Sequence, residues 1–276
     1  MTADVCIIGG GIVGSSIAWH LAAVGCTNVV VLEREVHQGK GSTGKSMGGV
    51  RAQFSSEPNI RMSLYSIAFY ASFEERFGEP SGYRPQGYLF LATDQAKLDY
   101  LTRNVELQHA CGRKDVRLMS TQQVRDLYPP LVLDDVLGAS FGASDGFVDP
   151  HLSMTGFANA AKERGVKFLT NAEVRSIGRT GNSFAIDTAR ERVTAKTVVN
   201  AAGAWAASIA AMSILLIVII ASNARLAAAR SGFEIASRRA RGVICHDTPH
   251  LSLHQPHALS SPPFPTIAFH KRSVSA

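Results

Sequence analysis

The first 33 residues contain the pattern that most limits what this chain can fold into. The short apolar run Val5-Cys6-Ile7-Ile8 ends in three glycines, which is typical of a buried parallel strand that closes in a tight turn. Residues 12–24 follow with apolar side chains at helical spacing and stop at Gly25, and residues 29–32 form a second buried strand. A strand, a helix and a strand within about thirty residues predict a βαβ unit and an α/β fold.

The glycines of this unit have the spacing of a dinucleotide site. Gly9, Gly11 and Gly14 fit the pattern G-x-G-x-x-G. The first glycine permits the turn, the second lets a pyrophosphate approach the backbone, and the third lets helix and strand pack closely. Glu33 follows about twenty residues further on, where a carboxylate can accept hydrogen bonds from a ribose. A glycine turn without a ligand is the alternative interpretation.

A second glycine-rich loop allows two interpretations. Residues 39–46 match the P-loop pattern G-x-x-x-x-G-K-[ST], which would make the chain an NTPase. A P-loop needs a helix immediately after it, and Met47-Gly48-Gly49-Val50 is a poor first turn. As part of a dinucleotide site, the loop would instead lie against the ligand, and Arg51 would stabilise negative charge on a reduced flavin. A surface ion pair is the alternative role for Arg51.

Helices and strands alternate in the prediction up to residue 206. We expect helices over residues 59–77, from about residue 98 to Gly112, after the N-cap Ser120, and from Pro150 to Lys162. We expect further strands over residues 87–93, 166–169, 184–187 and 193–200.

Five stretches, taken in order, resemble the D-amino-acid oxidase superfamily, close to the branch with sarcosine oxidase, glycine oxidase and dimethylglycine dehydrogenase. They are IIGGGIVG, VVVLERE, GSTGKSMGGVRAQF, DGFVDP and VVNAAGAWA, and they cover about residues 3–206. The resemblance implies a Rossmann-type FAD-binding domain over residues 1–82 and 146–206. A partial α+β substrate domain would be inserted at residues 83–145.

The resemblance also implies which residues bind the cofactor, FAD. They are Gly9, Gly11, Ile12, Val13, Gly14, Glu33, Arg34, Ser42, Thr43, Lys45, Ser46, Gly48, Gly49, Val174, Ala201, Ala202, Gly203 and Trp205. Lys45 stands where some relatives carry the histidine that attaches FAD covalently, so we expect non-covalent binding. Arg51 is the candidate catalytic residue, as a cation near the flavin.

The chemistry that the resemblance implies is the oxidation of a C–N bond. A hydride leaves the carbon beside an amine for flavin N5, and water hydrolyses the resulting imine. We therefore expect an amine or amino-acid oxidoreductase whose acceptor is oxygen or an electron carrier. A non-catalytic flavin-binding or assembly protein is the main alternative, and an NTPase or an NAD enzyme is a weaker one.

The composition changes abruptly after Ala206. Seven of the 28 Lys and Arg residues but only two of the 22 acidic residues lie beyond it, so most of the net charge of +6 belongs to residues 207–276. The body of the chain is nearly neutral, which argues against a nucleic-acid partner. We expect residues 207–276 to be a disordered tail. A reading-frame shift or a retained intron would explain a family fold truncated after about residue 206, with its activity lost.

The apolar run at residues 206–221 raises the question of a membrane segment. About sixteen residues are fewer than the roughly twenty that a span needs, and the arginines at 225–241 would favour the cytosolic side. Membrane contact through this run, and a buried strand or helix of a shortened fold at residues 214–220, stay as alternatives. The first residues have no basic or cleavable apolar segment, which predicts a cytoplasmic location. The four cysteines are isolated in sequence, so no metal site is expected.

Overall fold

The structure, a computed structural model, describes residues 1–212. The disorder predicted for residues 207–276 is wrong for residues 207–211, which are helical because Ile209 packs into the core. The rest of that segment, including the apolar run after residue 212, lies outside the described residues. The described strands are β1 (Thr2–Ile8), β2 (Val29–Leu32), β3 (Gly49–Val50), β4 (Tyr88–Ala92), β5 (Val116–Met119), β6 (Gly138–Gly142), β7 (Gly146–Phe147), β8 (Lys167–Leu169), β9 (Val174–Thr180), β10 (Ser183–Thr188) and β11 (Arg192–Asn200). The helices are α1 (Ile12–Ala23), α2 (Glu57–Ala71), α3 (Phe73–Phe77), α4 (Gln95–Ala110), α5 (Thr121–Leu127), α6 (Pro150–Glu163) and α7 (Ala206–Ala211), with a 3₁₀ helix at Gly203–Trp205.

Six strands form the main sheet, in the order β8-β2-β1-β11-β10-β9. The strands β8, β2, β1 and β11 run parallel, whereas β10 pairs antiparallel with β11 and with β9. Cys6 and Ile8 pack in one hydrophobic cluster and Ile7 packs in another, on the side of α1 and α6. Strand β1 is therefore buried on both faces, which explains its continuous apolar run. The predicted βαβ unit and α/β fold class are confirmed.

A separate antiparallel sheet has the order β4-β6-β5, and β3 pairs with β7. The three-stranded sheet lies within residues 88–142, whereas the strands of the main sheet come from residues 2–32 and 167–200. The boundaries predicted for an FAD-binding domain and an inserted substrate domain stay a prediction.

The single helix predicted over residues 59–77 is wrong, because the chain leaves the helical conformation at Ser72. The backbone there has φ −105° and ψ 16°, and it separates α2 from α3. The Ser72 hydroxyl donates to the carbonyls of Ala68 at 3.2 Å and Phe69 at 3.3 Å. A serine side chain can compete in this way for carbonyls of the preceding turn.

Two strands of the three-stranded sheet were not predicted. Strand β6, Gly-Ala-Ser-Phe-Gly, is buried at all five positions, but its small residues and two glycines have low strand propensity. Strand β5 has only four residues. The N-cap predicted at Ser120 is confirmed, since its hydroxyl accepts from Gln123 N and the Gln123 side chain accepts from Ser120 N.

Within residues 1–212, no helix combines the length and the apolar character that a membrane crossing requires. The first residues of the apolar run form α7, which has six residues.

Candidate functional site

Two glycines hold the start of α1 against the ends of β1 and β11. Gly9 has a φ of +110°, and the carbonyl oxygen of Ala201 lies where a Cβ on Gly9 would have to be. The carbonyl oxygen of Gly9 occupies the corresponding position at Gly14. A side chain fits at neither position, so the first turn of α1 lies directly on the glycine turn.

The N-terminus of α1 meets the second glycine-rich loop. Its N-cap residue, Gly11, has no side chain to accept a hydrogen bond, and Thr43 supplies the acceptor, because Ile12 N donates to Thr43 Oγ1 at 3.1 Å. A Cβ on Gly11 would lie 3.0 Å from the same hydroxyl oxygen. The first turn, which includes Val13, contains no acidic residue. No side chain of this turn therefore neutralises the partial positive charge at the N-terminus of α1.

Glu33 lies directly after β2 and faces the glycine turn. Its Oε2 accepts from Gly10 N at 3.0 Å, and its Oε1 accepts from Glu35 N at 3.0 Å. These bonds fix the carboxylate, and its remaining lone pairs can accept from a further donor such as a ribose hydroxyl. Gln38, which sequence analysis did not single out, donates to Gly10 O at 2.6 Å and to Ser15 Oγ at 3.2 Å.

The turn after β11 lies beside the same glycines. Ala201 N donates to Ile8 O at 2.8 Å. The side chain of Asn200 accepts from Ala202 N at 3.2 Å and donates to Ala206 O at 2.8 Å. This asparagine, which is buried, therefore fixes the shape of the predicted cofactor-binding turn, a role that sequence analysis missed.

Trp205 connects this turn with two other predicted segments. The guanidinium carbon of Arg34 lies 3.9 Å from the centroid of the Trp205 ring. A Cβ on Gly41 would lie 3.5 Å from that ring, and Ser42 Oγ lies 4.0 Å from the position of a Cβ on Gly203. The segments after β2, in the second loop and after β11 thus come together in space.

The second glycine-rich loop does not have the geometry of a P-loop. Residues 39–45 form consecutive turns, in which Gly44 N donates to Gly39 O at 2.9 Å. The chain then passes through residues 46–48 into β3 without forming a helix, and Lys45 is exposed. Since a P-loop holds phosphates on the helix that follows it, the NTPase interpretation is wrong.

Three more of the predicted residues connect the second loop to the rest of the chain. Ser46 Oγ accepts from Gly48 N at 3.0 Å, and Gly48 O accepts from Val148 N at 2.9 Å. Gly49 begins β3, and the hydroxyl of Tyr88 occupies the position of a Cβ on it. Neighbouring groups thus leave no room for a side chain at either glycine, although Gly48 is buried and Gly49 is exposed.

Val174 differs from the other predicted residues because its side chain belongs to the core. It begins β9 and packs in the same hydrophobic cluster as Ile8 and Leu32, the last residues of β1 and β2. A contact between this residue and a ligand would have to use its backbone, and its role in binding stays a prediction.

Arg51 follows β3 directly and is half-buried. Its guanidinium carbon lies 5.0 Å from the ring centroid of Phe54 and 5.2 Å from that of Phe90. The ion pairs among residues 1–212 do not include Arg51. Its charge is therefore held against aromatic rings rather than neutralised by a carboxylate of the described chain.

A buried ion pair fixes the residues that follow Arg51. Arg113 Nη2 lies 2.8 Å from Asp145 Oδ1, and both side chains are fully buried. The same Oδ1 accepts from Ala52 N at 2.8 Å, and Oδ2 accepts from Gln53 Nε2 at 3.1 Å. One carboxylate thus holds two consecutive residues of a distant segment.

The two carboxylates beside Arg113 have pKa values that move in opposite directions. Burial raises the pKa of Asp145, against the opposing effects of Arg113 and of the Ala52 N–H. For Asp115, burial also raises the pKa, but the hydrogen bonds from Arg113 and Ser144 outweigh it, and the pKa falls from 3.8 to about 2. Asp115 is the more exposed of the two, so water stabilises its charge better.

The family model described as "DAO: FAD dependent oxidoreductase" matches residues 4–248. The chain belongs to this FAD-dependent oxidoreductase family. FAD rather than NAD is the cofactor of the family, as predicted. The match extends past residue 206, where the resemblance was expected to end.

Two curated relatives of this FAD-dependent oxidoreductase show how much of a family protein the chain spans. FAD-dependent oxidoreductase domain-containing protein 1 from Xenopus laevis is 31% identical over 242 residues, with 76% of this chain and 48% of that protein covered. Mitochondrial dimethylglycine dehydrogenase from Rattus norvegicus is 31% identical over 212 residues, with 76% and 24% covered. The chain spans less than half the length of either relative.

Two solved structures of the same fold belong to enzymes that are named for a small amino acid. L-proline dehydrogenase from P. horikoshii has a TM-score of 0.71 and 34% identity, covering 76% of this chain and 55% of that one. Glycine oxidase from Geobacillus kaustophilus has a TM-score of 0.67 and 29% identity, covering 76% and 58%. These similarities confirm the predicted resemblance and the α/β fold of the family.

The described residues fit an FAD cofactor in three respects. Gly9, Gly11 and Gly14 carry no side chain, so a pyrophosphate can approach the backbone at the start of α1. That helix end carries no acidic residue, and Glu33 stands at the end of the neighbouring strand. Among residues 1–212, no group of three or more His, Cys, Asp and Glu side chains is placed to hold a metal ion.

Proposed function

We propose that this chain binds FAD non-covalently and oxidises a C–N bond of a small amine or amino acid. The observation that carries the proposal is the position of Glu33 and Thr43, which contact the glycine turn from either side. Together these two hydrogen bonds fix the backbone at the start of α1, where the pyrophosphate of a dinucleotide binds. Family membership supports the choice of FAD.

The predicted binding residues would each contact a different part of the cofactor. Backbone N–H groups at Gly11 and Val13 would hold the pyrophosphate, and the Glu33 carboxylate would accept from a ribose. In this arrangement Thr43 would keep its hydroxyl oxygen on Ile12 N and could donate its own proton to a phosphate oxygen. Lys45, which stands where some relatives carry the linking histidine, supports non-covalent attachment.

The substrate class comes from the names of the relatives. Dimethylglycine dehydrogenase, L-proline dehydrogenase and glycine oxidase are each named for a small amino acid. When bound, FAD supplies a two-electron acceptor for the hydride of a carbon beside nitrogen. Arg51 would stabilise the negative charge of the reduced flavin, because its guanidinium is permanently charged and half-buried. Oxygen or an electron carrier would receive the electrons, and a cytoplasmic location remains a prediction.

The first experiment is to purify the full chain without detergent and record its visible spectrum. We expect flavin absorption, and we expect acid denaturation to release FAD into the supernatant. Flavin that stays with the precipitated protein would contradict non-covalent binding. The loaded protein is then mixed anaerobically with N-methylglycine, N,N-dimethylglycine, proline or glycine, and bleaching of the flavin by at least one of them is expected.

A second function is suggested by FAD-dependent oxidoreductase domain-containing protein 1, a relative whose name states no reaction. A non-catalytic flavin-binding or assembly protein would give the same spectrum and the same release of FAD. A yellow protein that dithionite reduces but that no amine in the panel reduces would favour this second function.

A further inference from the structure

The conformation of the segment around Arg51 is set by a carboxylate that lies far away in sequence. Asp145 accepts from Ala52 N through Oδ1 and from Gln53 Nε2 through Oδ2. Gln53 is itself fixed, because its Nε2 also donates to Tyr88 O at 2.8 Å and its Oε1 accepts from Ser140 Oγ at 2.8 Å. The residues directly after Arg51 therefore have little freedom to move.

The carboxylate of Asp145 is in turn fixed by Arg113. Both side chains are fully buried, and Nη2 of the guanidinium lies where a Cβ on Gly142 would be. On its other edge, Arg113 Nε lies 2.9 Å from Asp115 Oδ1. Taking two charges out of water costs much of the free energy that their attraction returns, so a buried ion pair contributes little to stability and can instead fix the position of its neighbours.

The segment is also held at its two ends. Before Arg51, strand β3 pairs with β7, and Val50 stands opposite Gly146, the residue after Asp145. After it, the carbonyl of Phe54 accepts from Gln108 Nε2 at 3.1 Å. Arg51 thus lies between two anchored stretches of backbone, with its guanidinium against aromatic rings.

We infer that the buried Arg113–Asp145 pair is a positioning device for Arg51, and that Asp145 is a positioning residue of the flavin site. The inference rests on the proposed function, in which the Arg51 cation lies near the flavin. Asp145 contacts the backbone of residue 52, so a change in its carboxylate would displace Arg51 without removing its charge. A purely structural carboxylate would change the stability of the chain and leave the properties of a bound flavin unchanged.

The test measures the midpoint potential of FAD bound to the full chain in wild type, Arg51→Gln, Asp145→Asn and the double variant. Removing or displacing the cation disfavours the anionic reduced flavin, so both single variants are expected to lower the potential by comparable amounts. The double variant is expected to lower it no further, because the two residues act through one group. Asp115→Asn is the matched control. Asp115 pairs with the same guanidinium, but its carboxylate makes no contact with residues 52–54. This variant is expected to keep the wild-type potential.

The outcomes separate this inference from the proposed function. A wild-type potential in Asp145→Asn, together with a lowered potential in Arg51→Gln, overturns the positioning role and leaves the proposed function standing. An additive double variant also overturns it. A wild-type chain without flavin, or an Arg51→Gln variant with unchanged potential, contradicts the proposed function itself. If Asp145→Asn does not fold, Asp145→Glu gives the same decision, because it keeps the charge beside Arg113 but shifts the carboxylate relative to Ala52 N.

Discussion

The guanidinium carbon of Arg34 lies 3.9 Å from the centroid of the Trp205 ring. One residue follows β2 and the other follows β11, so this contact joins the two turns that we propose to bind FAD. A guanidinium over an indole ring contributes about 0.5–1 kcal/mol at an exposed site. The contact is therefore more important for the relative position of the two turns than for the stability of the whole chain.

Trp205→Ala is expected to weaken FAD binding by about two- to fivefold, which is the loss of one exposed cation–π contact. Trp205→Phe keeps an aromatic face and should lose less. The dissociation constant is measured by quenching of FAD fluorescence as the apoprotein is titrated in. Arg103→Ala, which removes an exposed arginine from α4, is the control. Equal affinity of all the variants would show that this contact does not shape the site.

Gly14→Ala tests the close approach of α1 to the glycine turn. An alanine in a helix normally stabilises it, but here the Cβ would meet the carbonyl oxygen of Gly9. We expect a loss of about 1–3 kcal/mol of unfolding free energy, measured in urea, and a loss of bound flavin. Gly178→Ala is the matched control, since no atom lies within 4 Å of its added Cβ. A Gly14→Ala chain as stable and as yellow as the control would contradict this geometry.

Thr43→Val tests the hydroxyl that caps α1 from outside the helix. Valine has nearly the shape of threonine, but it cannot accept from Ile12 N, a bond of 3.1 Å. The loss of a cap costs about 0.5–2 kcal/mol, and the flavin should also be lost more easily on dilution. Thr43→Ser keeps the hydroxyl and is expected to behave like the wild type. A serine variant as weak as the valine variant would mean that packing, rather than the hydrogen bond, is important at this position.

The βαβ unit and the glycine turn could be predicted from the sequence because their signals are local. A buried parallel strand reads as an apolar run, and the spacing of Gly9, Gly11 and Gly14 fixes a backbone shape. Glu33 could be found in the same way, from its distance along the chain. Strand β6 could not, since Gly138–Gly142 offers neither an apolar run nor alternation, and its burial comes from packing between β4 and β5.

The groups that shape the site from a distance left no signal in the sequence. Gln38, Asn200 and Arg113 are single polar residues whose roles depend on partners elsewhere in the fold. Asp145 is only the first residue of the stretch DGFVDP in the sequence, which does not reveal that its carboxylate reaches the backbone of Ala52. A polar residue in a loop gains its role from tertiary contacts, which neither propensity nor spacing encodes.

Asp115 makes the stability of the chain depend on acid pH in a way that a single substitution can isolate. Its folded pKa of about 2 lies below the ordinary value of 3.8, so the folded chain holds the proton less tightly than the unfolded chain does. The contribution of this carboxylate is therefore complete above about pH 4 and is lost as the pH falls toward 2. Urea unfolding of the wild type and of Asp115→Asn between pH 6 and pH 2 measures the difference. The wild type should be the more stable protein at pH 6, and the gap should close toward pH 2. A gap that stays constant over this range would show that Asp115 does not titrate differently in the folded chain.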